Sequence, residues 1–336
     1  MDPLYPYRGG RVSEPRARVK PLRILVLGKT GQVGWELVRA LAPLGTVTAA
    51  GRSEADLAHP AHLEGVLREA APDVVVNAAA YTAVDRAEVE PELAMRINCE
   101  AQGLLAAGCK KMDSAYVTYS TDYVFDGTSL RPYREGDATA PMNVYGRSKL
   151  EGERAVAESG AAHLIFRTSW VYGSRGKNFL RTILRLGSTQ PELRVVDDQI
   201  GAPTWSRMIA EATALVLAQV RPGESRDWGA LRERGGLYHL AASGETSWCQ
   251  FARAILERAP GISAGVLAVA THEYPTRTRR PARSVLCCDR LRREFGITLP
   301  DWKHSLDQVM AEINWAEELS SAKPAAAAPR EAAPKS

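Results

Sequence analysis

The chain has 336 residues, 45% hydrophobic and 24% charged, the balance of a folded globular protein with room for one large α/β domain or two smaller ones. Its net charge of +4, from 43 basic and 39 acidic side chains, is too small to imply a nucleic-acid partner, and apolar runs such as Val74 to Val76 are far too short to span a membrane. The five cysteines (Cys99, Cys109, Cys249, Cys287 and Cys288) are odd in number and lack metal-type spacing, which fits a reducing, cytoplasmic address better than a disulfide framework or a zinc site.

Residues 1–20 carry Arg8, Arg11, Arg16, Arg18 and Lys20 among prolines, lack the apolar core of a signal peptide, and are expected to form a disordered arm. Arg23 to Leu27 then reads as a buried parallel strand. It ends in the turn Gly28-Lys29-Thr30-Gly31-Gln32-Val33-Gly34, and the residues from Trp35 to Leu41 have helical apolar spacing. Strand, glycine turn and helix in that order suit a dinucleotide pyrophosphate. The glycines let the backbone turn tightly and approach the phosphates, and the helix N-terminus faces the anion. A glycine turn can also serve packing alone. Val47 to Ala50 reads as the second strand. After it comes Gly51-Arg52-Ser53, where Arg52 suits the 2′-phosphate of NADPH, whereas an acid would suit the ribose hydroxyls of NADH.

Asp73 to Asn77 is a further buried strand followed by Ala78, Ala79 and Ala80, small enough to admit a ring or ribose or to allow close helix packing. A helical stretch over Glu92 to Cys109 contains Asn98, either a polar anchor or a buried amide satisfied by backbone. Ala115 to Tyr119 is strand-like and runs into Ser120 and Thr121, whose hydroxyls fall at a strand's carboxyl end, where open α/β sheets bind ligands. Asn143 is a candidate N-cap for a helix bearing Tyr145 and Lys149, which at a spacing of four share one face. Free tyrosine titrates near ~10, and an adjacent ammonium favours the phenolate, so the pair can pass a proton to a carbonyl oxygen.

With GxxGxxG at Gly28 to Gly34 and YxxxK at Tyr145 to Lys149, the chain resembles the extended short-chain dehydrogenase/reductases. The strings GKTGQVGWEL, VNAAAYTAVDRAE, YSTDYVFDG, FRTSWVYG and DDQIGAPT narrow the resemblance to the dTDP-4-dehydrorhamnose reductase family, from about Arg23 to about Trp315. The resemblance implies a Rossmann-type doubly wound parallel sheet over residues 21–168. Residues 169–320 would be mainly a substrate-binding region with some segments returning to the core, while the Ala/Pro-rich composition of 321–336 predicts a disordered tail. It implies NAD(P)H-dependent reduction of the C4 ketone of dTDP-4-dehydro-L-rhamnose in the cytoplasm, the last step of dTDP-L-rhamnose synthesis.

Carried over by the resemblance, Tyr145 is the proton donor, Lys149 lowers its pKa and holds the nicotinamide ribose, and Thr121 bonds the reacting oxygen. Gly31, Gln32 and Val33 meet the pyrophosphate, Asp56 and Leu57 the adenine end, and Ala80, Tyr81 and Thr82 the inner half of the cofactor. Asp122 and Trp170 line the sugar pocket, Gln199, Gly201 and Pro203 touch the nucleotide, and Arg280 takes the diphosphate. Some relatives bind a divalent metal such as Mg through carboxylates at a homodimer interface. Glu36 fits that pattern, but Arg207 stands where it has an acid. Arg283 likewise replaces an expected Asn before Ser284. Two other functions share the fold: a nucleotide-sugar reductase or epimerase for another base or hexose, and a non-catalytic regulatory subunit like that of methionine adenosyltransferase. The DQIGAPT loop and Trp170 argue against the former, and retention of Thr121, Tyr145 and Lys149 together argues against the latter.

Overall fold

A computed structural model describes residues 20–223, 227–274 and 276–315; the expected arm, but for Lys20, and the expected tail lie outside the described residues. Six strands form the main sheet: β1 (Leu22–Leu27), β2 (Gly45–Ala50), β3 (Val74–Asn77), β4 (Ala115–Thr121), β5 (Ala162–Thr168) and β6 (Gly236–His239). They pair in the order β2-β1-β3-β4-β5-β6, every pair parallel. This is the doubly wound sheet expected from the sequence.

Alternation along β1 explains why its sequence is apolar throughout. Ile24 and Val26 enter one core with Leu37 and Leu41 of the first helix, α1 (Gln32–Ala40 and the residue that follows), and with Ile209 and Val216. Leu25 and Leu27 enter the other with Leu67, Leu105 and Val156. After β2 the chain crosses β1 and lays β3 on its far side, so the carboxyl ends of β1 and β3 diverge into a crevice. A third core, around Phe251, Leu184, Leu306 and Trp302, holds the C-terminal part together. Strand β6 shows that part of this later sequence returns to the main sheet.

The helix expected over Glu92 to Cys109 consists of Pro91–Met95, a π-helical turn Arg96–Glu100 and Ala101–Lys111. The helix that follows β4, α2 (Val144–Glu158), packs directly on that turn. A Cβ at its Gly152 would lie 1.9 Å from the Asn98 carbonyl oxygen. In the C-terminal part, helices Trp248–Glu257 and Trp302–Ala311 pack into the third core. No helix among the described residues is long and apolar enough to cross a membrane. Because backbone has nowhere to retreat at the α2 crossing, Gly152→Ala is expected to destabilise the fold by about 1–3 kcal/mol. Chemical denaturation checks this as a lower midpoint with an unchanged slope.

Candidate active site

The crevice becomes a site because of three glycines. Gly28 has φ +84°, and a Cβ there would sit 2.8 Å from the Ala79 amide nitrogen, at the end of β3. At Gly34 a Cβ would fall 2.0 Å from the Gly28 carbonyl oxygen, so this glycine lets α1 pack on the turn. Gly31 would meet only that same oxygen, at 3.3 Å, and is open on its other side. It is also the N-cap of α1, with no side chain to occupy the first-turn N–H groups, which leaves them for an anion. These residues fit a dinucleotide pyrophosphate.

From this cradle a cleft of about 420 Å³ runs inward. Of the predicted cofactor residues it is lined by Gly28, Thr30, Gly31, Gln32, Val33, Arg52, Asp56, Leu57, Ala79, Ala80, Thr82, Tyr145 and Lys149. Lys29, Gly34, Ser53, Tyr81 and Asn98 do not line it. Asn98 is instead the buried amide of the alternative reading: it accepts from the Tyr81 N–H at 2.9 Å and donates to the Tyr81 carbonyl and the Ser148 hydroxyl, each at 3.0 Å. Lys29 is drawn away by Glu54, 2.7 Å from its Nζ, and faces an outer groove with Trp35, Arg39 and Arg175.

Glu54 was not visible as a site residue in the sequence. Its other oxygen accepts from the Gly51 N–H at 2.8 Å, and the Lys29 and Gly51 bonds together hold its carboxyl down at about 2. The end of β2 therefore carries an acid after all, three residues beyond Gly51 and neutralised by Lys29. Gly176 and Lys177 also line the cleft without having been predicted; their loop is tied to the glycine turn by Asn178, which donates to Gln32 Oε1 at 2.9 Å. A loop residue far along the chain gave no local signal for this.

At the inner end, Asn143 caps α2 by accepting from the Gly146 N–H at 2.7 Å, which fixes Tyr145 and Lys149 against the end of β4. The ring of Tyr145 is partly open to the cleft, edge-on to Tyr123 at 5.9 Å. Its pKa corrects the sequence expectation. Burial of the hydroxyl pushes it up to about 12, a hydrogen bond with Thr121 draws it back, and the Asp122 charge adds to the rise. Lys149, whose Nζ donates to the Tyr119 carbonyl at 2.6 Å, is not among the groups that shift it. Burial brings Lys149 itself down to about 8, opposed by the Glu153 charge. The Thr121 hydroxyl donates to Asp122 Oδ1 at 3.1 Å. Asp122 is pushed up to about 7 by burial, against bonds from Ser284 and Thr121, and its Oδ2 has no partner among the described residues. Ser120 lines the cleft, yet its hydroxyl proton goes to Glu153 and is not free for a substrate oxygen.

The other predicted substrate residues lie outside this cleft. Trp170, at φ +45°, stacks on Trp248 with centroids 3.5 Å apart and lies against Gly201, where a Cβ would be 2.4 Å from the indole. Gln199 is buried and donates to Thr271 at 3.1 Å, and Pro203 is buried. Arg280 pairs with Asp85 at 3.0 Å, and the Arg280 Nε and Asp85 Oδ1 are unpartnered among the described residues. Glu36 is bound by the Arg207 guanidinium at 3.2 Å, which also grips Glu312. A side-chain cation thus already pairs with the Glu36 carboxylate. Among the described residues no group of three or more His, Cys, Asp or Glu is arranged to hold an ion, so the donor set does not fit a divalent metal at Glu36.

A family model described as the RmlD substrate binding domain matches residues 22–315. The dTDP-4-dehydrorhamnose reductase of Burkholderia thailandensis is 50% identical over 305 residues, covering 87% of this chain and 99% of that protein. The enzyme of the same name from Escherichia coli K12 is 44% identical over 303 residues, covering 87% and 98%. The crystal structure of dTDP-4-dehydrorhamnose reductase from Bacillus anthracis in complex with NADP superposes with a TM-score of 0.80 at 32% identity, covering 87% of this chain and all of that one.

The buried Asp122 makes a claim on stability with a definite sign. Its folded pKa lies above the ordinary carboxyl value, so the unfolded chain ionises first and this group costs stability as pH rises from about 4 to about 7. Asp122→Asn should therefore raise the melting temperature at pH 8 relative to the parent protein, with little difference at pH 4, as checked by calorimetry at both values.

Proposed function

The chain belongs to the RmlD substrate binding domain family, and on that premise we propose that it reduces the C4 ketone of dTDP-4-dehydro-L-rhamnose to the alcohol with NADPH, with Tyr145 as the proton donor. One observation carries the reading. The cleft that begins at the glycine cradle ends at the Tyr145 phenol, beside Thr121 and one helical turn from Lys149.

Bound in that cleft, the reduced nicotinamide supplies a hydride to the sugar carbon. Negative charge then grows on the ketone oxygen, and Tyr145 quenches it by giving up its phenolic proton. Thr121, its hydroxyl turned from Asp122 to the same oxygen, lowers the energy of that charge as it develops. The Lys149 ammonium has three donors, of which the Tyr119 carbonyl takes one. The others serve the nicotinamide ribose and the tyrosinate left behind, which is how a phenol at about 12 becomes a competent donor once ligands are in place. Arg52 at the end of β2 takes the 2′-phosphate. Arg280, whose Nε is still open beside Asp85, takes the substrate diphosphate, and, carried over from the family, Trp170 and Asp122 line the sugar pocket. Residues 21–168 hold the cofactor and 169–320 mainly the thymidine nucleotide and sugar. The free cysteines fit a cytoplasmic enzyme.

Tyr145→Phe should lower kcat by about 10²–10⁴-fold with KM changed little, because the proton is transferred only in the transition state. Arg52→Ala should raise the KM for NADPH about tenfold, a charge-assisted bond lost, and leave that for NADH unchanged. Steady-state kinetics with each cofactor reads both, and an unaltered NADPH preference would remove the phosphate assignment.

A further inference from the structure

Behind the catalytic face lies an ion pair that the proposed chemistry does not use. Glu153 follows Lys149 by one turn of α2 and is 7% exposed; Arg167 on β5 is 3% exposed. The Arg167 guanidinium binds Glu153 in a two-pronged grip, Nε to Oε1 at 2.9 Å and Nη2 to Oε2 at 2.6 Å. Ser120 at the end of β4 donates its hydroxyl to the same carboxylate. One carboxylate thus joins the two strands and the helix that deliver Ser120, Lys149 and Tyr145 to the cleft. Burying such a pair gives little stability compared with apolar residues of the same size, so stability alone does not explain it.

The charges around Lys149 suggest what it does. From β4 come the Tyr119 carbonyl and the Ser120 hydroxyl, while the Tyr119 phenol is turned away to Thr213 at 2.8 Å. From α2 come Tyr145 and Glu153, and Asp122 lies on the Tyr145 side. Behind Glu153 stands Arg167, with His239, kept neutral at about 3 by burial, beyond it. With Glu153 ionised, the group Lys149, Glu153 and Arg167 carries one net positive charge, which a Tyr145 phenolate brings to zero. Without the carboxylate it would carry two, in a buried place that disfavours even one.

We infer that Glu153, backed by Arg167, is a positioning residue for the proton donor: its carboxylate keeps Lys149 an ammonium in a buried site and anchors the end of β4 beside it. This rests on the proposed roles of Tyr145 and Lys149. Glu153→Gln then lowers the pH at which the donor set loses its proton. Arg167→Met, which leaves the carboxylate to Lys149 and the Ser120 hydroxyl, raises that pH. The paired substitution of both removes the ion pair without stranding either of its partners and is the one least prone to misfold, and it too lowers that pH, since Lys149 loses its carboxylate.

The test is the pH profile of kcat/KM for NADPH-dependent reduction of dTDP-4-dehydro-L-rhamnose by the full chain, with each variant and Tyr145→Phe. The alkaline limb should fall by about one pH unit in Glu153→Gln, fall in the double variant, and rise in Arg167→Met. Lower turnover with the limb unmoved in the double variant, or a shift of the two single variants in the same direction, would overturn the inference and leave the pair a purely structural tie. If a single variant does not fold, the double variant decides alone. Tyr145→Phe with full activity would instead sink the catalytic reading beneath it, so the two failures are distinguishable.

Discussion

A buried ammonium sets the terms for the rest of the site. Lys149 is 5% exposed and has the Tyr119 carbonyl 2.6 Å away, so helix α2 must lie hard against the end of β4. Everything that permits this approach is visible in the packing. Gly146 leaves no room for a Cβ, which would fall 2.2 Å from the Tyr123 carbonyl oxygen, and Gly152 does the same against Asn98. Asn143 fixes where the helix begins. A lysine so enclosed loses its proton readily, and the neighbouring carboxylate is what opposes that loss. Catalytic geometry and electrostatics are in this sense one constraint: the close approach that aims the phenol also strips water from the charge that must support it.

The site otherwise depends on carboxylates and basic side chains holding one another in place. Lys29 is kept by Glu54, Arg280 by Asp85, Glu36 by Arg207, and Arg283 by Glu245 at 2.5 and 2.9 Å. Exposed pairs of this kind add little to stability, but they decide which charges are open to a ligand. Arg52 lines the cleft while Lys29 faces away from it, so the two cations near the adenosine end are not equivalent. Arg283, unexpected in place of an Asn, has its charge met by Glu245, while its Nε is buried without a partner among the described residues.

Much of this was legible in the sequence because it is local. The glycine turn, the small residues after β3, the N-cap at Asn143 and the Tyr145 and Lys149 spacing each follow from nearby residues whose backbone conformation leaves few choices. What escaped depends on long-range placement. Glu54 reaches back to Gly51 and Lys29, Lys177 arrives over the cleft from a distant loop, and the π-helical turn at Arg96–Glu100 answers to the packing of α2. The direction of the Tyr145 shift was misjudged for the same reason. Spacing puts an ammonium on the right face of the helix, but only the fold shows that burial acts on the phenol first.

The most direct measurement follows the hydrogen itself. The full chain is given NADPH carrying deuterium at the transferable C4 position and enzymatically generated dTDP-4-dehydro-L-rhamnose, and the sugar is read by mass spectrometry and NMR. The proposed reaction yields dTDP-L-rhamnose with one deuterium, on C4, in step with NADPH consumed. Recovery of the ketone unreduced while the protein still binds NADPH, or a product with no label at C4, would contradict it.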